Sequence, residues 1–227
     1  MDTTTAPATA VPATAVPATA VPAVRLPWRR LVVMGDSVAS GVGDPVPGYP
    51  DRPWAATLAA ALDDRRGPPG YRNLGVAGAR TAEVRAGQLR PALAFGPDLV
   101  VLACGGNDAI RRSFDPGAVA ADLDAMVAAL AEQGALVVTF GYLDIGRTGL
   151  LPPERRAGVS ARLRTLRDVT GRVTRRHGGL QVDFVDHPEA GDGIFSADQL
   201  HPNRRGHALV ARETVRALAA HAGVDPY

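Results

Sequence analysis

The 227 residues contain no lysine; all 25 Lys/Arg-class cations are arginine. That absence removes Schiff-base chemistry, a Ser-Lys dyad and the lysine of a phosphate-binding P-loop. Cysteine is almost missing as well. The single Cys104 can close no internal disulfide and cannot build a multi-cysteine metal site. No His or Cys pair stands at ligand spacing, so neither a metal nor any other cofactor is expected. Apolar runs of about 18 residues, the length a membrane helix needs, do not occur. The arginine-rich stretch 155–176 lacks aromatics and interleaves Val159, Leu163, Leu166, Val169 and Val173 at helical spacing. It reads as the solvated face of an amphipathic helix, and nucleic acid is not an expected partner.

What is present is an ordinary globular composition. A hydrophobic share of 46% with a net charge of only +2 favours a soluble domain, long enough to bury about 70% of its unfolded surface without staples. The first two dozen residues differ. Val-Pro-Ala-Thr-Ala recurs there, and proline every five residues prevents a helix while the small side chains cannot form a core. Residues 1–24 are therefore expected to be a disordered tail and residues 25–227 a single domain. The tail has neither the basic n-region nor the unbroken apolar core of a secretory signal, so a cytoplasmic location is the default expectation.

From Arg30 onward, short β-branched runs alternate with longer amphipathic stretches. Strands are predicted at 31–34, 71–74, 98–103, 135–140 and 181–185, and helices at 53–62, 81–93, 116–132, 153–177 and 204–220. Continuous runs such as Leu99-Val100-Val101-Leu102 suit strands covered on both faces. Five βα units in this order imply a three-layer α/β/α fold, with the loops that do chemistry at the carboxyl edge of a parallel sheet.

Four short segments fall at that edge. Ser37 lies in Gly35-Asp36-Ser37 after the first strand, and Gly78 in Asn73-Leu74-Gly75-Val76-Ala77-Gly78 after the second. Asn107 lies in Gly105-Gly106-Asn107-Asp108 after the third, and Asp198 and His201 in Asp198-Gln199-Leu200-His201 before the last helix. A serine hydroxyl needs a base, which His201 can supply, and Asp198 can fix the histidine tautomer. The Asn107 side-chain N–H, the Gly78 backbone N–H and that of Ser37 make three donors for an oxyanion hole.

These segments resemble the four ordered blocks of the SGNH hydrolase superfamily, the GDSL-type esterases and lipases. The resemblance spans roughly 32–207. It implies a flavodoxin-like sheet of five parallel strands in order 2-1-3-4-5. It also implies an esterase that hydrolyses an ester or thioester of a small-molecule, lipid or carbohydrate substrate through an acyl-serine. Ser37, Gly78, Asn107 and His201 would take the family roles, with Asp198 orienting the histidine. Gly78 is preferred over Gly75 by its spacing from Asn73. An acyltransferase using the same acyl-serine with a non-water acceptor is the alternative, and a non-catalytic binding module on the same fold is a second rival.

The remaining polar residues have plainer readings. Asp36 and Asp108 are expected to hold their own loops, and Cys104 to be a buried hydrophobe at a strand end. His177 and His221 sit at helix ends, His207 inside the last helix, and His187 has no assigned role. The substrate pocket is expected from loops 38–53 and 142–153.

Overall fold

The computed structural model describes residues 24–224 apart from 63, 64 and 66. The expected tail up to residue 23 lies outside the described residues; Val24, the first of them, is buried. In chain order the elements are β1 (Arg30–Gly35), α1 (Ser37–Ser40), α2 (Trp54–Ala59), β2 (Gly70–Asn73), α3 (Thr81–Phe95), β3 (Leu99–Ala103) and α4 (Gly106–Ala109). They continue with α5 (Pro116–Glu132), β4 (Leu136–Gly141), α6 (Pro153–Arg176), β5 (Leu180–Asp183) and α7 (Arg204–Ala222). All four strand pairings are parallel and the order is β2-β1-β3-β4-β5, as the resemblance implies. No helix among the described residues is long and apolar enough to cross a membrane.

Alternation along the central strands builds two cores. In β1, Val32 and Met34 join Val100, Leu102 and Val137 under α3, α5 and α6. Leu31 and Val33 face the other way, with Leu99, Val101 and Val138 against α2 and α7. Every residue of β3 is buried, which explains its unbroken apolar run.

Helix starts follow local chemistry. Asp115 accepts from the Gly117 and Ala118 N–H groups at 2.8 and 3.1 Å, with Pro116 at the first helical position of α5. Asn203 caps α7 by accepting from Arg205 and Gly206 at 3.0 and 3.1 Å. Its own amide donates back to the Phe195 carbonyl at 2.8 Å, fixing the segment just ahead of the helix. Two α-helices were not anticipated: the four-residue α1 and α4, each one turn long and too short to show apolar periodicity.

Candidate active site

The chain can turn sharply at the end of β1 because residue 35 is glycine. Gly35 has φ +139°, and a side chain there would run into the Ala103 carbonyl oxygen of β3. The Asp36 N–H instead donates to that oxygen at 3.0 Å, and the Asp36 carboxylate caps α1 through the Val38 N–H at 2.9 Å. Ser37 is thereby presented at the first position of a one-turn helix. From the other side the Trp54 indole N–H donates to the Val38 carbonyl at 2.7 Å.

The last block arrives from 164 residues away. Asp198 Oδ1 accepts from the Leu200 and His201 N–H groups at 2.9 and 3.0 Å, a tight turn that places Gln199 at φ 56°. Asp198 Oδ2 is 2.6 Å from His201 Nδ1, and His201 Nε2 is 2.8 Å from Ser37 Oγ. Burial pushes the Asp198 carboxyl up, but the bonds from the His201 backbone, the His201 ring and the Leu200 backbone outweigh it, and its pKa lies below the ordinary value. An ionised carboxylate, an oriented imidazole and a hydroxyl therefore form one continuous chain, an arrangement able to activate the hydroxyl as a nucleophile.

Asn107, Ser37 and His201 line the same cleft, whose walls are mostly apolar: Ile110, Phe140, Leu143, Leu163, Phe184 and Val210. Gly78 does not line it; it lies in the neighbouring depression with Val76, Ala79 and Gln88. The two loops are nevertheless joined, since Asn107 Nδ2 donates to the Ala79 carbonyl at 3.1 Å, and its second amide hydrogen meets no acceptor among the described residues. The Ser37 and Gly78 backbone N–H groups donate to no acceptor among the described residues. The two glycines of this loop serve different needs. Gly78 has φ +81° and open space around it, while a side chain at Gly75 would strike the Ser40 backbone nitrogen at 2.5 Å.

Several supporting residues behave differently from expectation. Asp108 does not close its own loop: it accepts from the Thr81 N–H and hydroxyl, both at 2.9 Å, and so ties α4 to the start of α3. Asp36 holds its loop as expected but also accepts from the Tyr142 hydroxyl at 2.9 Å, and burial raises its pKa to about 6. Of the two loops expected to shape the pocket, 38–53 contributes Val38 and 142–153 contributes Tyr142, Leu143 and Ile145. Cys104 is buried, and burial pushes its thiol well above the usual range, which leaves it a poor nucleophile.

His207 is fully buried and accepts from the Trp54 N–H at 3.4 Å, while its Nε2 lies 3.1 Å from the Val42 carbonyl. His187, Glu189 and Glu213 bring possible ligand atoms within 4.8 Å of one another. Arg212 already serves both carboxylates there, so a guanidinium holds the place a cation would take.

One residue with no sequence-level assignment is Gln88. Its side-chain amide pairs with both backbone groups of Gly35, accepting from the N–H at 2.7 Å and donating to the carbonyl at 2.8 Å. The signal for it was a polar residue four positions from Val84 and from Ala92 on the buried face of α3.

Residues 33–209 match the model of the GDSL-like Lipase/Acylhydrolase family. The chain belongs to that family. This GDSL-like hydrolase is accordingly a carboxylic ester hydrolase. Its fold is shared by solved structures. One is TesA, at 25% identity over 84% of this chain and 98% of that one, with a TM-score of 0.66. Another is the lipase/acylhydrolase from Enterococcus faecalis, at 23% identity over 88% and 98% with a TM-score of 0.64. A third is LAE5, an α/β hydrolase enzyme from the metagenome of Lake Arreo, Spain, at 24% identity over 84% and 95% with a TM-score of 0.64. No curated protein matches the GDSL-like hydrolase chain.

Proposed function

We propose that the protein hydrolyses esters with an apolar acyl group through an acyl-Ser37 intermediate, with His201 as general base and acid and Asp198 as its orienting carboxylate. The observation that carries this reading is the unbroken hydrogen-bonded chain Asp198–His201–Ser37, whose two links measure 2.6 and 2.8 Å. In the first half-reaction Ser37 Oγ bonds to the carbonyl carbon as its proton passes to His201 Nε2. The bond to the leaving oxygen then breaks, and that oxygen takes the proton from His201. In the second half, water adds as His201 accepts its proton, the acyl–Oγ bond breaks, and the proton returns to Ser37. Asp198 stays ionised throughout, consistent with its lowered pKa. The Ser37 N–H and the second Asn107 amide hydrogen serve the developing oxyanion from within the cleft, and the Gly78 N–H from the adjoining loop that Asn107 ties to it, each donor worth roughly 10²–10³ in turnover.

The mostly apolar walls of the cleft, Ile110, Leu143, Leu163 and Phe184 among them, suit an apolar acyl group. Turnover of p-nitrophenyl esters of graded chain length tests this. The expected result is faster turnover of a butyryl than of an acetyl ester, since each buried methylene contributes about 0.8 kcal/mol; a rate highest for acetyl would contradict it. Intact mass after the same incubation identifies the acyl-enzyme.

A further inference from the structure

Tyr142, the first residue beyond β4, has no part in these proton transfers, yet it touches two of the turns that carry them. Its hydroxyl donates to Asp36 Oδ2 at 2.9 Å, while Asp36 Oδ1 accepts from the Val38 N–H at 2.9 Å. One carboxylate thus connects Tyr142 to the backbone on the far side of Ser37. The same ring packs on Gly106, where an added methyl group would stand 3.0 Å from Cε1. Gly106 directly precedes Asn107, and Tyr142, Asp36 and Gly106 all line the cleft with Ser37 and Asn107.

We propose that Tyr142 is a positioning residue that sets the spacing between Ser37 and the Asn107 donor, acting through Asp36 on one side and Gly106 on the other. The inference rests on the acyl-serine reading of Ser37. Physically, the two groups come from different strands. The roots of their loops are joined by the Asp36 N–H to Ala103 carbonyl bond, but Ser37 and Asn107 lie beyond that bond. A rigid aromatic ring with only two rotatable side-chain angles, fixed at its tip and along its edge, is suited to holding them. Loss of about 1 Å in such alignment can lower turnover up to about a hundredfold. A wall that only excluded water would need no hydroxyl. It would also need no buried carboxylate, a group that burial disfavours in its charged form.

The test is steady-state hydrolysis of a short p-nitrophenyl ester by Tyr142→Phe, Asp36→Ala and the double variant, with thermal midpoints and fluorophosphonate labelling measured alongside. Tyr142→Phe is expected to lower kcat about ten- to a hundredfold with KM within about twofold. In the Asp36→Ala background the same change should alter kcat less than about twofold, because the link is already cut. Gly106→Ala removes no polar group but must displace the ring, and it should also lower kcat with KM held. This arm stands if Tyr142→Phe fails to fold. Unchanged kcat in Tyr142→Phe or Gly106→Ala, additive effects in the double variant, or a loss of rate that merely follows a lower thermal midpoint overturns the proposal alone, provided Ser37→Ala is inactive. Persistent labelling of Ser37→Ala overturns the acyl-serine reading and this proposal with it.

Discussion

Asp36 and His207 are both buried, and burial perturbs them in opposite senses. The Asp36 carboxyl rises from 3.8 to about 6 because desolvation outweighs the Val38 and Tyr142 hydrogen bonds and the attraction of His201. The folded state therefore binds this proton more tightly than the unfolded chain. Stability falls as pH rises from about 3.8 through 6, and the whole penalty is present above that window. The shift of 2.2 units (6 − 3.8) corresponds to about 3 kcal/mol at about 1.36 kcal/mol per unit. His207 falls from 6.5 to about 4, again by desolvation, against the raising effect of the Val42 carbonyl. Here the unfolded chain protonates first, so stability is lost as pH drops from 6.5 towards 4. The shift of 2.5 units (6.5 − 4) is likewise about 3 kcal/mol.

The two windows overlap, and in the native protein the slopes nearly cancel. Asp36→Asn removes one of them while preserving the shape, since Asn can accept from the Val38 N–H and donate to the Tyr142 oxygen. Urea unfolding at pH 4, 6 and 8 is the assay. The variant should be more stable than the native protein by up to about 3 kcal/mol at pH 8, with equal stability at pH 4 and an unchanged m-value. A gap of the same size at pH 4 and pH 8, or a variant less stable at pH 8, would refute the assignment of Asp36 as a destabilising buried acid.

Asp198→Asn should keep the fold but hold His201 in the wrong tautomer, lowering kcat by roughly 10³–10⁴ with little change in KM; steady-state kinetics showing less than a tenfold loss would count against its role. Asn107→Ala should lower kcat by roughly 10²–10³ while substrate affinity is retained, and a pure KM effect would place Asn107 outside the oxyanion site. Gln88→Leu leaves the buried Gly35 N–H without a partner, although the Gly35 carbonyl keeps its bond from the Val76 N–H at 3.0 Å. The expected destabilisation is about 1–3 kcal/mol in urea unfolding, and a change below about 0.5 kcal/mol would show that the Gln88 bonds contribute little.

The elements most legible in the sequence were those whose local chemistry and burial agree. α5 was predicted at 116–132 and runs Pro116–Glu132, because Asp115 and Pro116 mark its start unambiguously. β3 declared itself through a run covered on both faces, and α6 through valines and leucines at helical spacing. α1 and α4 were missed because one turn carries no period, and what shapes them is the freedom of Gly35 and Gly105 at positive φ. In the site, Ser37, Asp198 and His201 could be chosen from residue type and order along the chain. Asp108 could not be read correctly. Its partner Thr81 is 27 residues away, and sequence spacing carries no information on which loop a carboxylate faces. Gln88 and the bond Tyr142 makes were hidden for the same reason, since their partners Gly35 and Asp36 lie 53 and 106 positions away. Gly78 was preferred to Gly75 from spacing alone, and its placement beside the Ser37 cleft, in the adjoining loop, is a detail only the tertiary contacts give.

The central claim is that Ser37 carries the acyl group. Intact-mass measurement of the native protein and of Ser37→Ala, each incubated with a fluorophosphonate, tests it most directly. The native protein should gain one adduct per chain, localised to Ser37 by peptide mapping, and the alanine variant none while unfolding at the same urea concentration as the native protein. An adduct of equal yield on the folded Ser37→Ala variant would contradict the account.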